Sequence, residues 1–464
     1  MSPRPLILLE FNELSPPLMN RFIAEGQLPN FARLREEGST YITDAGEDPP
    51  RLNPWIQWVT LHSGKSFAEH EVFHLGDAAK KGIPMIWDHV CSAGHTAWIC
   101  GSMNVAVQPG FKGWVLPDPW DATTQSVPAE FDKYMKLVRA YVFEHTSGRR
   151  PVTIETIREF ATFMLRNGLR ASTIAKILKQ LASERFADTD WRRASILDLL
   201  QFDLFRSVYR KHKPLLSTLF FNSTAHYQHA FWRNYQPELF DIKPSEAEQK
   251  SKANAILFGY QAMDRLLGDV FEMAGNDAVI AFATALSQQP CLAWEGSGGK
   301  TFYKPHDFRT LLSFLGIDPA QCRVEPVMSE QFHLRFRDGA SAASAKELLD
   351  SVTLDGGRSV FSSRVEGDSV FTGCAIFSDL PGGTCIRTPS QEASFTDIFY
   401  QIEAVKSGMH HRDGLLWIRT PERTREEVPG KLPLTSVMSL LLRSMQLDVP
   451  ASEAVARTPL RAAG

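Results

Sequence analysis

Apolar residues recur along this chain with two spacings, and these spacings predict which segments are strands and which are helices. A nearly continuous apolar run at residues 6–9 predicts a buried strand, and a similar run covers residues 96–100. Residues 18–25 and 55–61 instead carry apolar side chains three and four positions apart, as amphipathic helices do. Strands and helices that alternate in this way are typical of a parallel sheet with helices on its faces.

The pattern changes at residue 128. From there to residue 213 helices follow one another with almost no strand between them, and they are predicted at 131–143, 154–165, 172–186 and 190–209. This stretch holds 17 Lys or Arg against 10 Asp or Glu, although the whole chain is slightly acidic. Two interpretations remain open: a lid over an anionic substrate, or ordinary solvated faces of an inserted helical bundle.

Strands return after this helical stretch. They are predicted at 215–221 and 278–283, with helices at 253–271 and 436–445 and the last core strand at 415–418. We therefore predict an α/β core from residues 1–127, 214–290 and 401–464, an inserted helical lid at 128–213, and a small α+β insertion at 291–400.

Composition and charge narrow the class of protein. Hydrophobic residues make up 43% of the 464 residues, which is enough for a large buried core, and the net charge of -3 gives no general attraction to nucleic acid or anionic membranes. No apolar run approaches the roughly 18 residues of a membrane span, and the first strand begins too early for a signal peptide. The cysteines lack C-x-x-C spacing, which favours free thiols over a zinc site or disulfides: Cys91, Cys100, Cys291, Cys322, Cys374 and Cys385. We expect a cytoplasmic protein.

Five polar motifs lie next to the predicted strands and helices, in a recognisable order along the chain. The first strand ends at Asn12-Glu13, the helix at 55–61 is preceded by Asn53-Pro54, and residues 221–233 contain His226 and His229. The strand at 278–283 is followed by Thr284 to Gln288, and the strand at 415–418 is preceded by His410-His411-Arg412-Asp413-Gly414. In this order and spacing, the chain resembles the type I phosphodiesterase and nucleotide pyrophosphatase branch of the alkaline phosphatase superfamily.

The resemblance implies a site with two metal ions and a hydroxyl nucleophile, and this chain departs from both. Asn12 stands where the family has its first ligand Asp, Asn53 or Pro54 stands at the nucleophile, and Ala225 replaces the Asp of an Asp-x-x-x-His pair. His229 and His410 match two histidine ligands of the second metal. They imply at most one divalent, zinc-like ion, which Glu13 or His62 would complete, although each histidine is also compatible with a leftover polar residue in a cleft.

The replacements are polar rather than apolar, which favours a remodelled binding pocket. We predict catalytic roles for Glu13 as general acid or base, for Asn12 and Asn53 as oxyanion donors, and for His62. Predicted substrate-binding residues are Thr224, His226, Thr284, Ser287 and Gln288.

The favoured function is an enzyme that acts on, or transfers, a phosphate- or sulfate-type group of a small anionic molecule, without nucleic acid or membrane partners. Two alternatives stay open: a non-catalytic binding protein of the same fold, and an ordinary metal-dependent phosphodiesterase.

Overall fold

The strands of the protein form one large sheet and several small ones. The computed structural model describes residues 2–121, 124–147, 152–327, 330–402 and 405–449. Within them the strands are β1 (Leu6–Phe11), β2 (Ser39–Asp44), β3 (Ala97–Cys100), β4 (Gly113–Leu116), β5 (Leu216–Phe221), β6 (Val279–Ala283), β7 (Ser287–Pro290), β8 (Tyr303–Pro305), β9 (Arg323–Pro326), β10 (Gln331–Arg335), β11 (Thr353–Leu354), β12 (Phe361–Glu366), β13 (Ser369–Cys374), β14 (Cys385–Arg387), β15 (Glu392–Ser394), β16 (Phe399–Gln401), β17 (Gly408–His411), β18 (Asp413–Arg419) and β19 (Glu426–Pro433).

The large sheet has eight strands in the order β19-β2-β18-β6-β1-β5-β3-β4. β1 pairs in parallel with both β5 and β6, and β3 and β4 continue in the same direction. β18 runs antiparallel to its neighbours β2 and β6, so the chain just before β18 reaches the same edge as the carboxyl ends of β1, β5 and β6. Strand ends at one edge of a mostly parallel sheet are where α/β folds place their sites.

Helices cover both faces of this sheet. They are α1 (Pro16–Ala24), α2 (Pro29–Glu36), α3 (Pro54–Ser63), α4 (Phe67–His70), α5 (Asp77–Lys81), α6 (Ile86–Ser92), α7 (Asp132–Ser147), α8 (Ile154–Arg166), α9 (Ala171–Ser183), α10 (Ala194–His212), α11 (Ser223–Tyr235), α12 (Glu246–Lys252), α13 (Ala255–Ala274), α14 (Phe308–Leu315), α15 (Gly339–Asp350), α16 (Phe395–Ile398) and α17 (Val437–Ser444). None of the helices in the described residues is long and apolar enough to cross a membrane.

β1 is buried on both faces because it lies at the centre of the fold. All six of its residues are buried, with Ile7, Leu9 and Phe11 in one hydrophobic cluster and Leu6 and Leu8 in another. A strand buried on both sides shows a continuous apolar run rather than alternation, as residues 6–9 do. The predicted fold class is confirmed: an α/β protein with a mostly parallel central sheet flanked by helices.

The helical stretch packs on one face of the sheet. Phe202 and Phe205 of α10 belong to the same hydrophobic cluster as Ile7 and Leu9 of β1. The side-chain amide of Gln201 donates to the carbonyl of Phe220 near the end of β5, at 2.7 Å. Trp191, just before α10, contacts Tyr227 and Phe231 of α11 with ring centroids 5.7 and 5.9 Å apart. Its action as a lid stays a prediction.

The segment predicted as an α+β insertion has its own core. β12-β13-β10-β9 form one small antiparallel sheet and β11-β14-β15 another. A separate hydrophobic cluster includes Leu311, Phe332, Leu349 and Phe399 and draws all its members from this segment. The proposed division into core, lid and insertion rests on this pattern. The division also assigns residues that lie outside the described part of the chain: 1, 122–123, 148–151, 328–329, 403–404 and 450–464.

One strand prediction is wrong. Residues 415–418 are not the last strand of the core, because β19 follows them and pairs in parallel with β2 at the edge of the large sheet. Six of its eight residues are exposed, and it contains Pro429 and Gly430 at a shift in its register. A polar edge strand of this kind lacks the apolar run by which buried strands are recognised.

Candidate functional site

Four polar residues meet at the carboxyl edge of the large sheet. Asn12 and Glu13 follow β1 directly, and His229 lies on α11, which begins after β5 ends at Phe221. His410 lies on β17, just before β18, and pairs with Gln288 of β7. Sheet topology thus places together side chains that are separated by up to about 400 positions in sequence.

The Glu13 carboxylate lies between two imidazoles. Its Oε2 is 3.0 Å from Nε2 of His229 and 3.4 Å from Nε2 of His410. The two imidazole rings are 5.2 Å apart between centroids, at an angle of 71°. The predicted convergence of Glu13, His229 and His410 is therefore what the structure contains, and their ligand atoms all lie within 4.8 Å of one another.

The other nitrogen of each imidazole is fixed by the backbone. Nδ1 of His229 is 3.1 Å from the carbonyl oxygen of Gly408, and Nδ1 of His410 is 2.8 Å from that of Leu52. A carbonyl oxygen only accepts, so each Nδ1 carries the hydrogen and donates it. In the neutral form of both rings, Nε2 then presents a lone pair toward Glu13, which is the arrangement found in metal-ligating histidines.

Amide groups hold the Glu13 side chain in place. Nδ2 of Asn12 donates to Oε1 at 2.8 Å, and Nε2 of Gln288 donates to Oε2 at 2.5 Å. Nε2 of Gln228 donates to the Glu13 backbone carbonyl at 2.7 Å. The Glu13 backbone has φ of 62°, a left-handed conformation that non-glycine residues adopt at a cost and that is concentrated at functional sites.

The two imidazoles next to Glu13 determine the charge of its carboxyl group. Burial alone would raise the pKa of the Glu13 carboxyl, but the adjacent His410 and His229 imidazoles outweigh burial and hold that pKa well below its usual range. Glu13 is therefore ionised at neutral pH. A carboxylate that faces two nitrogen lone pairs needs a positive species between them, either a proton on an imidazole or a cation.

The donor set fits a zinc-like ion. Ligand atoms that lie 2.0–2.1 Å from one tetrahedral centre are about 3.3 Å from each other, and the two Nε2–Oε2 separations here are 3.0 and 3.4 Å. The side chains of His229 and His410 are 26% and 19% exposed whereas that of Glu13 is 3% exposed, so solvent reaches the group from the imidazole side. An ion held there would keep a position open to a ligand.

Asn12 has a different role from the predicted one. Both hydrogens of its amide are used, by Glu13 Oε1 and by Oδ1 of Asn222, each at 2.8 Å, and its own Oδ1 accepts from the Trp58 indole at 2.9 Å. It therefore has no hydrogen left to donate to an oxyanion. The structure makes Asn12 a positioning residue for Glu13.

Several predicted residues are not brought into this group. Asn53 precedes α3, and its amide donates to the carbonyl of Pro50 at 2.7 Å. His62 is fully buried and pairs with Glu10, its Nε2 lying 2.8 Å from Oε1 of Glu10. His226 is exposed on the first turn of α11, outside the group of Glu13, His229 and His410.

The predicted substrate-binding residues divide in the same way. Thr224 packs against Gly259 of α13, and the hydroxyl of Thr284 accepts from the backbone nitrogen of Leu415 at 2.8 Å. Ser287 is buried and pairs with His411 between β7 and β17. Gln288 alone among these residues contacts Glu13 directly.

Gln228, Asn222 and Trp58 have no recognisable signal in the sequence, because their roles depend on tertiary contacts. Glu10 did have one. It is a lone carboxylate in the otherwise apolar strand at residues 6–11, and such a residue must find a buried partner.

No protein-family model and no curated protein sequence matches this chain. Among solved structures, phosphonoacetate hydrolase from Sinorhizobium meliloti 1021 is similar at 11% sequence identity and a TM-score of 0.41, over 96% of each chain. Murine ectonucleotide pyrophosphatase/phosphodiesterase 5 is similar at 10% identity and a TM-score of 0.40, again over 96% of each chain. Similarity this low carries nothing about the residues of the site, which rest on the geometry above.

Proposed function

We propose that the protein is an enzyme that acts on, or transfers, a phosphate- or sulfate-type group of a small molecule, at a single divalent metal ion held by Glu13, His229 and His410. The observation that carries the proposal is the convergence of one buried carboxylate oxygen and two backbone-fixed Nε2 atoms. A zinc-like ion held there would supply a Lewis acid that polarises an oxygen of the phosphate or sulfate group.

The protein's own residues prepare this centre. The carbonyls of Gly408 and Leu52 fix the imidazole tautomers, while Asn12 and Gln288 keep the carboxylate in position. Groups positioned before the substrate arrives need no reorganisation during the reaction. The free state of all six cysteines supports the cytoplasmic location that forms part of the proposal.

The reaction would not pass through a covalent enzyme intermediate on the family's usual side chain. Neither Asn53 nor Pro54 has a hydroxyl, and the Asn53 amide is engaged with Pro50. Water or a second substrate would attack instead. We therefore expect generic aryl phosphate and bis-aryl phosphate esters to be turned over poorly. The same lack of a nucleophile favours the second candidate, a binding protein that retains the ion and the anion site without turnover.

The experiment is a metal and substrate screen on the purified full chain. Protein is stripped with chelator, reloaded with Zn²⁺ or Mn²⁺, and tested on phosphate monoesters, phosphate diesters, phosphonates and sulfate esters for release of inorganic phosphate or sulfate. We expect metal-dependent turnover of at least one class. His229→Ala and His410→Ala should each lower metal affinity at least about tenfold and abolish turnover.

The control is His306→Ala, which removes an exposed histidine far along the chain from this group. It should leave metal affinity and turnover unchanged. Metal binding with anion affinity but no turnover would favour the binding protein. Activity that persists in both histidine variants would overturn the proposal.

A further inference from the structure

A second cluster of metal-ligating side chains lies between the core and the inserted segment. His74 follows α4 in the core, His333 lies in the middle of β10, and Glu366 is the last residue of β12. The loop that carries His74 is held firmly, because the amide of Asn104 donates to the carbonyl of His74 at 3.1 Å and to that of Trp55 in α3 at 2.9 Å. The cluster therefore joins two separate hydrophobic cores.

One carboxylate oxygen faces two imidazole nitrogens here as well. Nε2 of His74 is 3.0 Å from Oε2 of Glu366, and Nδ1 of His333 is 4.0 Å from the same oxygen. The three ligand atoms all lie within 4.8 Å of one another. The other carboxylate oxygen, Oε1, accepts from Nε of Arg364 at 2.5 Å, which fixes the orientation of Glu366.

Aromatic packing fixes the two imidazole rings. The ring centroids of His74 and His333 are 4.9 Å apart, and both rings contact Phe371 of β13, at 4.8 and 4.9 Å. Arg364 lies over the same Phe371 ring at 4.9 Å. The donor atoms are therefore held by packing as well as by hydrogen bonds, so little order would have to be gained on binding an ion.

The ion pair between His74 and Glu366 does not account for one ligand atom of the cluster, Nδ1 of His333. Nδ1 of His333 is buried and has no hydrogen-bond partner among the described residues, although it points toward the carboxylate.

We infer that His74, His333 and Glu366 form a second metal site, for a zinc-like divalent ion, that ties the core to the inserted antiparallel sheet. Two imidazoles and one carboxylate suit Zn²⁺ better than Mg²⁺ or Ca²⁺, which prefer oxygen ligands. His333 Nδ1, 4.0 Å from Oε2 of Glu366, would need to approach that oxygen by about 0.7 Å to reach the ligand spacing of a tetrahedral centre. Arg364 donates to Oε1 of Glu366, which itself lies 3.1 Å from Nε2 of His74, and Nη2 of Arg364 is 3.3 Å from the same nitrogen. Its guanidinium would have to swing away from the imidazole while it keeps Oε1.

The test measures Zn²⁺ per chain after dialysis and separates the two sites by mutation. In a His229→Ala/His410→Ala double variant, which removes the first site, we expect about one Zn²⁺ to remain. Adding His333→Ala or Glu366→Gln should lower the affinity for that Zn²⁺ at least about 100-fold, since loss of a direct ligand exceeds the effect of its supporting groups. Adding His306→Ala, which removes an exposed histidine of the same insertion, should leave the affinity for that Zn²⁺ unchanged.

Two further measurements test the second metal site if the His333→Ala variant in β10 folds poorly. His74→Ala changes a loop residue and should give the same loss of Zn²⁺. Co²⁺ added to the double variant should show the absorption of a tetrahedral nitrogen and oxygen site, and Zn²⁺ should raise its thermal midpoint. A double variant that binds no Zn²⁺ overturns the inference, and so does one whose Zn²⁺ survives both His74→Ala and Glu366→Gln. A wild-type protein that binds one Zn²⁺, unaffected by changes at His229 and His410, would instead count against the proposed function alone.

Discussion

Glu13 combines two unfavourable features in one residue, and both are explained by the site. Its backbone is left-handed, with φ of 62°, and the residue is 2% exposed. The backbone conformation costs free energy of folding, and burial of the charge is tolerated only because the two imidazoles outweigh its cost. Proteins keep such residues where function requires them.

Replacing Glu13 by glycine should remove metal binding. Glycine adopts the left-handed conformation freely, but the variant loses the carboxylate whose ionised form the two imidazoles favour, and one hydrogen each of Asn12 and Gln288 loses its acceptor. We expect Zn²⁺ to raise the free energy of unfolding of the wild type, measured by urea denaturation, and to leave that of Glu13→Gly unchanged.

The matched control is Glu71→Gly, at an exposed glutamate with φ of 49°. It relieves the same kind of backbone strain, for a gain of about 1 kcal/mol at most, without touching the site. It should keep the full stabilisation by Zn²⁺. A Glu13→Gly variant that Zn²⁺ still stabilises would show that Glu13 is not a ligand of the ion.

His229 and His410 were predictable from sequence because each is a histidine at the position, relative to a predicted strand, where the family that the motifs resemble has one. Glu13 was predictable as a polar residue at the same edge. The supporting roles of Gln228, Asn222 and the carbonyls of Leu52 and Gly408 were not, since backbone carbonyls have no sequence signature and an amide contacts whatever the fold brings near it.

At the scale of elements, α11 carries His229 and is anchored by a buried carboxyl. The hydroxyl of Ser223, at the start of α11, donates to Oδ2 of Asp198 in α10. Burial raises the pKa of Asp198 to about 7. The native state therefore keeps a proton on Asp198 at pH values where the unfolded chain has lost it.

This difference predicts how stability depends on pH. Between the unfolded pKa of about 4 and the folded value near 7, the native state binds more protons, so the free energy of unfolding falls as pH rises. Asp198→Asn should remove this contribution. The stability of the variant relative to the wild type should increase from pH 4 to pH 7 by up to about 4 kcal/mol.

Urea denaturation of both proteins across this pH range measures the difference. Other buried carboxyls, such as Asp118, are present in both proteins and cancel in the comparison. A difference that does not change with pH would show that Asp198 titrates near its ordinary value in the native state.

The helices and buried strands followed their sequence patterns closely, while the outer strands did not. The predicted helix at 154–165 is α8, and the predicted strand at 215–221 is β5. β2 and β19 went unpredicted because polar residues make up much of both strands and neither contains a long apolar run. Their pairing is set by neighbours far along the chain.

At the scale of the whole molecule, the described residues form three hydrophobic clusters. Two lie on opposite faces of the large sheet, and the third lies within the insertion. The sequence indicated the change of character at residue 291, because short alternating runs replaced the long apolar ones. It could not indicate that His74 of the core meets His333 and Glu366 of the insertion, since that contact joins residues about 290 positions apart.

Both edge strands of the large sheet are poorly suited to pairing with a further strand. At one border, β19 presents Glu426 and Glu427 to solvent and is interrupted by Pro429, which has no hydrogen to donate. At the other, β4 has four residues, and its Val115 exchanges backbone hydrogen bonds with Val127 at 2.8 Å each. A strand from another molecule therefore finds few free backbone groups to bind.

The borders thus protect the protein against aggregation, a property separate from its chemistry. Glu426→Val and Glu427→Val combined with Pro429→Val should give a continuous apolar edge, and we expect faster growth of light scattering and of thioflavin T fluorescence on mild heating. Glu272→Val with Glu347→Val adds similar apolar surface on exposed helices and should aggregate much less. Equal aggregation of the two variants would mean that total surface hydrophobicity matters more than the strand edge. The same polar, interrupted stretch that hid β19 from the sequence pattern keeps newly made chains from joining edge to edge.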